Sequence, residues 1–398
     1  MHQAWLQSEE LRLLDFTRDV VRPDALGAWL VDNGEQDPRQ PGHTYITGRM
    51  AHVHYLAAMR GIPGAWPIAT RLLHGLATTA RDRIHGGWRE HSDDDGTLDK
   101  SAYAHAFVVL AAATGTLAGD PAAPKLLDEA LTVVEERFWE PMDGMFADAF
   151  SGDWTTKRSY RGVNANMHLV EAMLAASDAT GDSRWAAYAE RVCDFVVNRA
   201  AENNWRIPEH YDSLWQPQPD FNIDHPGDQF KPYGATIGHA FEWARLLLSA
   251  ATISEDPGQL QHAARELYER GITDGWARNG HDGFVYTTDW IGQPIVTERL
   301  HWVVTEAIGA AATLASVTNE PRYRADYMRW WDYADRFFID RRHGSWFHVL
   351  TKHNEPTDAI WSGKPDLYHA YQAALTSQLP VSTSFAAAIQ SSDLPLRK

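Results

Sequence analysis

Hydrophobic positions along the chain fall into two kinds of helical stretch. In one kind the residues are small and apolar on every face, as in AHAFVVLAAATG, HLVEAMLAASDATG, HAFEWARLLLSAA and TEAIGAAATLASV. In the other kind the apolar residues form a single stripe, as in RWAAYAERVCDFVVNRAAE and YRADYMRWWDYADRF. A helix that is apolar all round belongs inside a protein, whereas a one-sided helix packs on the outside. The alternation predicts inner and outer helices in pairs.

A Gly- and aromatic-rich segment with strand-like alternation recurs between the helix pairs. Such segments begin at Gly27, Gly86, Asp143, Asn203, Asp282 and Gly344. Their spacing of about 60 residues, once nearer 80, is typical of a repeat architecture. It predicts an all-α (α/α)6 barrel, a toroid of six helical hairpins with short β-hairpins at one end that wall the active site. We expect one domain over 1–398, with 380–398 as a peripheral tail. The helices are expected at approximately 3–22, 44–60, 65–82, 99–118, 122–137, 162–179, 183–200, 234–253, 257–271, 299–317, 321–338 and 365–377.

Composition narrows the classes of function. The formal net charge of −17 over 398 residues argues against nucleic-acid binding, because phosphate neutralisation needs a basic face. No stretch approaches the ~20 uncharged apolar residues of a membrane helix, and the N-terminus lacks the features of a signal peptide. We expect a cytoplasmic monomer or homodimer that binds a small molecule and neither nucleic acid nor membrane. Many of the 17 Trp residues lie in loop-like segments, where their flat aromatic faces could stack on sugar rings.

Polar and ionisable residues recur in the first turns of the predicted inner helices. A buried charge costs several kcal/mol unless it is paired or functional. Because these turns share the hairpin end, their side chains are expected to converge on one cavity. The residues are Arg49, Tyr103, His105, Asn164, His168, Glu171, His239, Glu242, Trp302, Glu306, His369 and Gln372.

Three of these sites share a finer pattern, a histidine followed three residues later by a carboxylate or an amide. Positions i and i+3 lie on one helix face, so the second residue is expected to orient the first. A histidine held in this way can take a proton from a carbon acid and return it. A single such histidine is more often a hydrogen-bonded core residue, but the convergence of several favours catalysis. The alternative is a di-metal site of His and Glu ligands, although the motif HExxH is absent. The pairs are His168/Glu171, His239/Glu242 and His369/Gln372.

At these residues the sequence resembles the N-acylglucosamine 2-epimerase superfamily, in particular its branch of mannose and sulfoquinovose isomerases. The resemblance covers nearly the whole chain and rests on TGRM, NANMH, GHAFEWARLL, HWVVTEAI and DLYHAYQA. It implies an (α/α)6 barrel, no obligatory metal or other cofactor, and proton transfer at C2 of an open-chain aldose through a cis-enediol.

The resemblance also implies roles for matching positions. His239 and His369 would be the acid/base pair, with Glu242 as the orienting partner of His239. His168 would assist ring opening or hydroxyl binding, and Arg49 would bind substrate oxygens and stabilise an enediolate. Tyr103, His105, Asn164, Trp302 and Glu306 would bind the substrate or line its pocket.

The expected activity is aldose–ketose isomerisation between D-mannose and D-fructose. A 2-epimerase would use much the same histidines, so the catalytic set alone leaves that outcome open. His348 and Pro365 stand in the region where the resemblance places glutamines in sulfoquinovose isomerases, which favours a neutral hexose. Two further functions stay open, a glycoside hydrolase that uses Glu242 and Glu306 as opposed carboxylates and a non-catalytic sugar-binding protein.

Overall fold

A computed structural model describes residues 2–392 of the chain. The described residues form two compact units. The N-unit comprises 14–192, 365–368 and 382–392, and the C-unit comprises 2–13, 193–364 and 369–381. The assignment of 1–398 to one domain stays a prediction, and 393–398 of the predicted tail lie outside the described residues.

Thirteen α-helices occur in residues 2–392, against twelve predicted. They are α1 His2–Phe16, α2 Thr44–Met59, α3 Ala65–Thr78, α4 Ala102–Ala118, α5 Ala123–Val133, α6 Val163–Thr180, α7 Arg184–Glu202, α8 Ile237–Ala250, α9 Pro257–Gly275, α10 His301–Thr318, α11 Pro321–Phe337, α12 Tyr368–Thr376 and α13 Phe385–Ser391. A π-helical turn, Val134–Phe138, follows α5. No helix of this set is both long and apolar enough to cross a membrane.

Short strands accompany the helices. They are β1 Lys100–Ser101, β2 Trp139–Glu140, β3 Met145–Phe146, β4 Ala149–Phe150, β5 Arg161–Gly162, β6 His210–Tyr211, β7 Ala235–Thr236, β8 Thr287–Thr288, β9 Pro294–Val296, β10 Arg299–Leu300 and β11 Val349–Leu350. Most of these strands are only two residues long, so they pair locally and do not build an extended sheet in the described part of the chain.

The helices pack in the predicted inner and outer pairs within each unit. In the N-unit, α4 lies between α2 and α6, while α3 packs on α2 and α5 packs on α4. In the C-unit, α8 packs against α10, with α9 on α8 and α11 on α10. Helix α4 is buried almost continuously from Ala102 to Gly115, whereas α11 buries one face only. The all-round apolar helices are therefore the inner ones, as their sequences predict.

Antiparallel pairing sets where several inner helices begin. Strand β1 precedes α4 and pairs with β4, β7 precedes α8 and pairs with β8, and β10 precedes α10 and pairs with β11. The first backbone N–H of each helix then donates to a carbonyl of the following hairpin, as Ala102 does to Asp148 at 2.8 Å and His301 does to His348 at 3.0 Å. The predicted starts at 99, 234 and 299 were therefore two or three residues early.

Two further differences concern the ends of the chain. Helix α1 ends at Phe16, six residues before the predicted boundary. In the predicted tail, α13 forms and packs against α2, α4 and α6. Thr383 and Ser384 donate to Asp178 near the C-terminal end of α6, and Gln390 donates to the Leu117 carbonyl of α4. Residues 382–392 thus cover the helix ends opposite the hairpins in the N-unit.

Candidate active site

In the C-unit, His239 is paired with a buried glutamate from a hairpin. His239 is the third residue of α8, and its Nδ1 lies 2.9 Å from Oε1 of Glu209, the residue before β6. His239 is 5% exposed and Glu209 3%. Since a carboxylate accepts, Nδ1 carries a proton, and Nε2 is the nitrogen that can exchange one.

His369 has the same arrangement with a glutamate from another helix. It is the second residue of α12, and its Nδ1 lies 2.8 Å from Oε1 of Glu306 on α10. Both side chains are buried. The C-unit therefore holds two glutamate–histidine dyads, Glu209–His239 and Glu306–His369, each joined through Nδ1.

The Trp302 indole connects the two dyads. Its ring centroid lies 5.3 Å from that of His239 and 5.8 Å from that of His369, with interplanar angles of 39° and 35°. Gly238 makes the first approach possible, because a Cβ there would lie 2.1 Å from Trp302 Cζ3. Trp302 is partly exposed while both histidines are buried, so a partly exposed indole lies beside two buried imidazoles.

In the N-unit, Arg49 lies among aromatic rings and hydrogen-bond partners. Its Nη1 donates to Asp366 Oδ2 at 3.1 Å and its Nη2 to the Tyr103 hydroxyl at 2.7 Å. The guanidinium also faces the rings of Phe107 at 4.5 Å and Tyr368 at 4.8 Å. Burial alone would lower the pKa of Arg49, but Tyr103 and Asp366 raise it. The side chain is therefore a fixed cation, oriented by a carboxylate.

His168 lies on α6 in the same unit, against two of these aromatic residues. Its ring centroid is 5.2 Å from that of Tyr103 and 4.8 Å from that of Phe107. Glu171, one turn later, accepts a hydrogen bond from the Tyr368 hydroxyl. Arg49, Tyr103 and His168 thus form one group in the N-unit.

Comparisons with known proteins show the family to which this chain belongs. The family described as N-acylglucosamine 2-epimerase (GlcNAc 2-epimerase) matches residues 27–373. The chain belongs to the N-acylglucosamine 2-epimerase family.

Two relatives of this family member are similar over nearly its whole length. A D-mannose isomerase of Thermobifida fusca is 46% identical, covering 98% of this chain and 97% of the relative. A D-mannose isomerase of Pseudomonas cannabina pv. alisalensis is 42% identical, covering 98% and 96%. A crystal structure of D-mannose isomerase is 25% identical with a TM-score of 0.87, covering 94% of this chain and 97% of that one. The fold class is the (α/α)6 barrel, as the repeat predicted.

The expected orienting partners of the histidines need correction. The i+3 spacing predicted Glu242 behind His239 and Gln372 behind His369, but Nδ1 of these histidines faces Glu209 and Glu306. A helical Cβ points towards the helix N-terminus, so a side chain in the first turn extends away from the residue at i+3. In this epimerase-family chain the hairpins and neighbouring helices therefore supply the partners.

The sequence did not predict Glu209 as a site residue, and it predicted Glu306 only as a residue that binds substrate or lines the pocket. Glu209 stands in the fourth hairpin segment, 30 residues before its partner, where helical periodicity carries no information. Its sequence context, RIPEHY, also contains an arginine and a histidine, so nothing in it singles out the glutamate.

His105 also needs correction, because its surroundings are those of a core residue and not of a substrate contact. The side chain is 0% exposed. Nδ1 lies 2.7 Å from the Ser101 carbonyl, while Nε2 accepts from the Trp88 backbone N–H at 3.1 Å. Burial lowers its pKa from 6.5 to about 4. Both ring nitrogens are engaged, so His105 holds the start of α4 against the second hairpin.

The two other predicted contact residues, Tyr103 and Asn164, occupy the second positions of α4 and α6. Each is partly exposed between buried neighbours, as Trp302 is on α10. Asn166, two residues after Asn164, has a structural role instead, since its amide bonds both the N–H and the carbonyl of Phe146. Exposure therefore separates Asn164 from the asparagine that fixes the hairpin.

The metal alternative has one candidate set in the described part of the chain. Ligand atoms of Glu242, Glu306 and His369 lie within 4.8 Å of one another. However, Arg245 Nε donates to Glu306 Oε2 at 3.0 Å, and Arg245 Nη2 lies 3.9 Å from Glu242 Oε1. A guanidinium at this place opposes a metal cation and already compensates the carboxylates. The donor set fits an ion-paired cluster better than a metal centre.

Proposed function

We propose that this chain is an aldose–ketose isomerase that interconverts D-mannose and D-fructose. The support in sequence is that two relatives, 46% and 42% identical over nearly the full length, are both D-mannose isomerases. The observation that carries the chemistry is the pair of glutamate–histidine dyads whose two histidine rings both contact Trp302. An isomerase must move one proton on carbon and others on oxygen, and two histidines with fixed tautomers can divide these tasks.

The proposed reaction begins with opening of the pyranose, in which O1 loses a proton and the ring oxygen gains one. A dyad histidine then removes the C2 proton through Nε2 while O1 is protonated, which gives a cis-enediol. Loss of the O2 proton forms the C2 carbonyl, and the histidine returns a proton to C1. Glu209 and Glu306 stabilise the imidazolium formed in these steps, since each carboxylate accepts from Nδ1.

The N-unit residues are proposed to bind the sugar. Arg49 would hold substrate oxygens and the negative charge of an enediolate, for which a guanidinium already oriented by Asp366 needs no reorganisation. Tyr103 and Asn164 offer partly exposed polar groups, and His168 would assist ring opening. His105 is left out of this set because its two nitrogens are engaged in the core.

The alternatives differ in how well the site supports them. A 2-epimerase needs the same dyads and differs in the face from which C2 is reprotonated, so only product analysis separates it from an isomerase. A glycoside hydrolase needs two carboxylates available to the glycosidic bond, whereas both oxygens of Glu306 are bonded to His369 and Arg245. A non-catalytic sugar-binding function would not explain why the site holds two buried glutamate–histidine dyads.

The experiment that tests this function is NMR of the purified protein with D-mannose in the presence of EDTA. We expect D-fructose as the first product, at a rate that EDTA does not change. Glucose without early fructose would instead identify a 2-epimerase, and no turnover of mannose, glucose or fructose would contradict both. A loss of activity in EDTA would contradict metal-free catalysis. The cytoplasmic location and the monomeric or dimeric state stay predictions.

A further inference from the structure

Arg245, which lies in the GHAFEWARLL segment and received no role from the family resemblance, is bonded to the partner of a dyad histidine. It lies two turns after the start of α8 and is 5% exposed. Its Nε donates to Glu306 Oε2 at 3.0 Å, while the other oxygen of Glu306 holds His369 Nδ1 at 2.8 Å. Glu306 is thus fixed at both oxygens, and the chain of contacts runs from Arg245 through Glu306 to His369.

The charges around His369 balance only when Arg245 is counted. Glu306 on α10 and Glu242 on α8 are two buried carboxylates, and Arg245 is the guanidinium between them. A proton on His369 therefore brings this group of four side chains to neutrality. Another titratable neighbour is His301 on α10, whose ring lies edge-on to His369 at 6.3 Å and is stacked on His348. Buried charges interact strongly, so one uncompensated carboxylate would bias the proton on His369.

A glycine on the neighbouring helix leaves space for the Arg245 side chain. Gly309 on α10 faces its aliphatic stem, and a Cβ at Gly309 would lie 3.2 Å from Arg245 Cδ. In the second dyad, Nδ1 of His239 faces Glu209 at 2.9 Å, and the next residue, His210, interacts electrostatically with both side chains. The two histidines are therefore supported differently, one by a single carboxylate and the other by a carboxylate that an arginine shares.

We propose that Arg245 is a positioning residue of the isomerase reaction, which sets the orientation and the proton affinity of His369 through Glu306. The inference rests on the proposed function. Arg245 need not touch the sugar, so its loss should lower kcat and leave the KM for D-mannose nearly unchanged. Without the guanidinium, two carboxylates stabilise the imidazolium of His369, so a higher pH is needed to make the histidine a base.

The test compares Arg245→Met, Arg245→Lys and the wild type with a matched control, Arg206→Met. Arg206 is also a buried arginine of the C-unit, and it pairs with Asp274 on α9 at 2.7 Å. We expect Arg245→Met to lower kcat by on the order of 10²-fold and to move the acid limb of the pH–rate profile upward by roughly one pH unit. Arg245→Lys should recover part of both effects, whereas Arg206→Met should lower thermal stability and keep the wild-type profile.

The outcomes separate this inference from the function on which it rests. A wild-type protein that forms no fructose would overturn both. An active wild type whose Arg245→Met variant keeps the normal pH profile, or loses no more kcat than Arg206→Met, would overturn the positioning role alone. Should Arg245→Met not fold, Arg245→Gln decides the matter, because it removes the charge but keeps a hydrogen-bond donor, and an unchanged kcat and pH profile in that variant would contradict the role.

Discussion

One carboxylate sets the tautomer of each dyad histidine. Glu209 is therefore expected to matter for catalysis, although it lies in a hairpin segment outside the inner helices. His239 Nδ1 donates to Glu209 at 2.9 Å, in surroundings where both side chains are buried. A neutral amide in place of the carboxylate cannot stabilise the imidazolium, and it can also turn its NH2 group towards Nδ1. Either effect makes His239 a poorer acid and base.

We therefore predict that Glu209→Gln lowers kcat for D-mannose by about 10²-fold, with little change in thermal stability. Steady-state kinetics over a pH series measures the effect. The control is Glu202→Gln, which changes an exposed glutamate at the end of α7 and should behave as the wild type. Wild-type kcat in Glu209→Gln would show that the carboxylate does not support the histidine.

His105, unlike Glu209, is expected to affect the stability of the fold and not catalysis. Burial lowers its pKa from 6.5 to about 4, so in this pH range the unfolded chain binds a proton that the folded chain does not. The free energy of unfolding therefore falls as pH drops from 6.5 towards 4, and the term vanishes above pH 6.5. The term amounts to on the order of 3 kcal/mol for His105.

We predict that His105→Gln, whose amide oxygen can still accept from Trp88, loses stability less steeply than the wild type between pH 6.5 and 4. Urea unfolding at a series of pH values measures this slope, while kcat at pH 7 should stay near the wild-type value. An unchanged slope would mean that His105 is not held neutral in the fold. A selective loss of kcat would restore His105 to the substrate-binding set.

At the scale of helices and hairpins, the inner helices could be predicted from sequence because their apolar character extends over many residues. The strands that set their starts could not, since two-residue strands such as β1 and β10 carry no periodicity. Helix α13 was missed for a related reason: it has seven residues, and its clearest signal is Ser384, whose side chain accepts from the Ala387 N–H. Glu209 was missed because its partnership with His239 depends on where a hairpin folds over α8.

Gly238 links helix packing to the site. Because a Cβ there would lie 2.1 Å from the Trp302 ring, we predict that Gly238→Ala displaces Trp302 from its contacts with the two dyad histidines. Overpacking of this kind costs about 1–3 kcal/mol, so the melting temperature should fall, and kcat/KM for D-mannose should fall with it. The control is Gly119→Ala, where an added Cβ meets no atom within 4 Å; there stability should fall, because Gly119 has φ of 88°, without a kinetic change. Normal kcat/KM in Gly238→Ala would contradict the role given to Trp302.

At the scale of the whole molecule, the six-fold repeat was enough to predict the fold class, and the family match over 27–373 agrees with it. The inner-helix positions included both dyad histidines and also Glu306, although Glu306 was expected to bind substrate or line the pocket and not to pair with His369. The side-chain pairs that join different helices and hairpins could not be predicted from the sequence, because contacts such as Glu306–His369 join residues 63 positions apart. The charge balance completed by Arg245 likewise becomes visible only when α8 and α10 are placed side by side.

In the mechanism that we propose, His239 and His369 together move the C2 proton of D-mannose. The most direct test follows deuterium entry from D2O by NMR for the wild type and for His239→Ala and His369→Ala, with folding checked by circular dichroism. We predict deuterium at C2 of mannose and C1 of fructose with the wild type, and none above background with either folded variant. Deuterium entry at the wild-type rate in both variants would contradict the assignment of the two dyads as the proton-transfer groups.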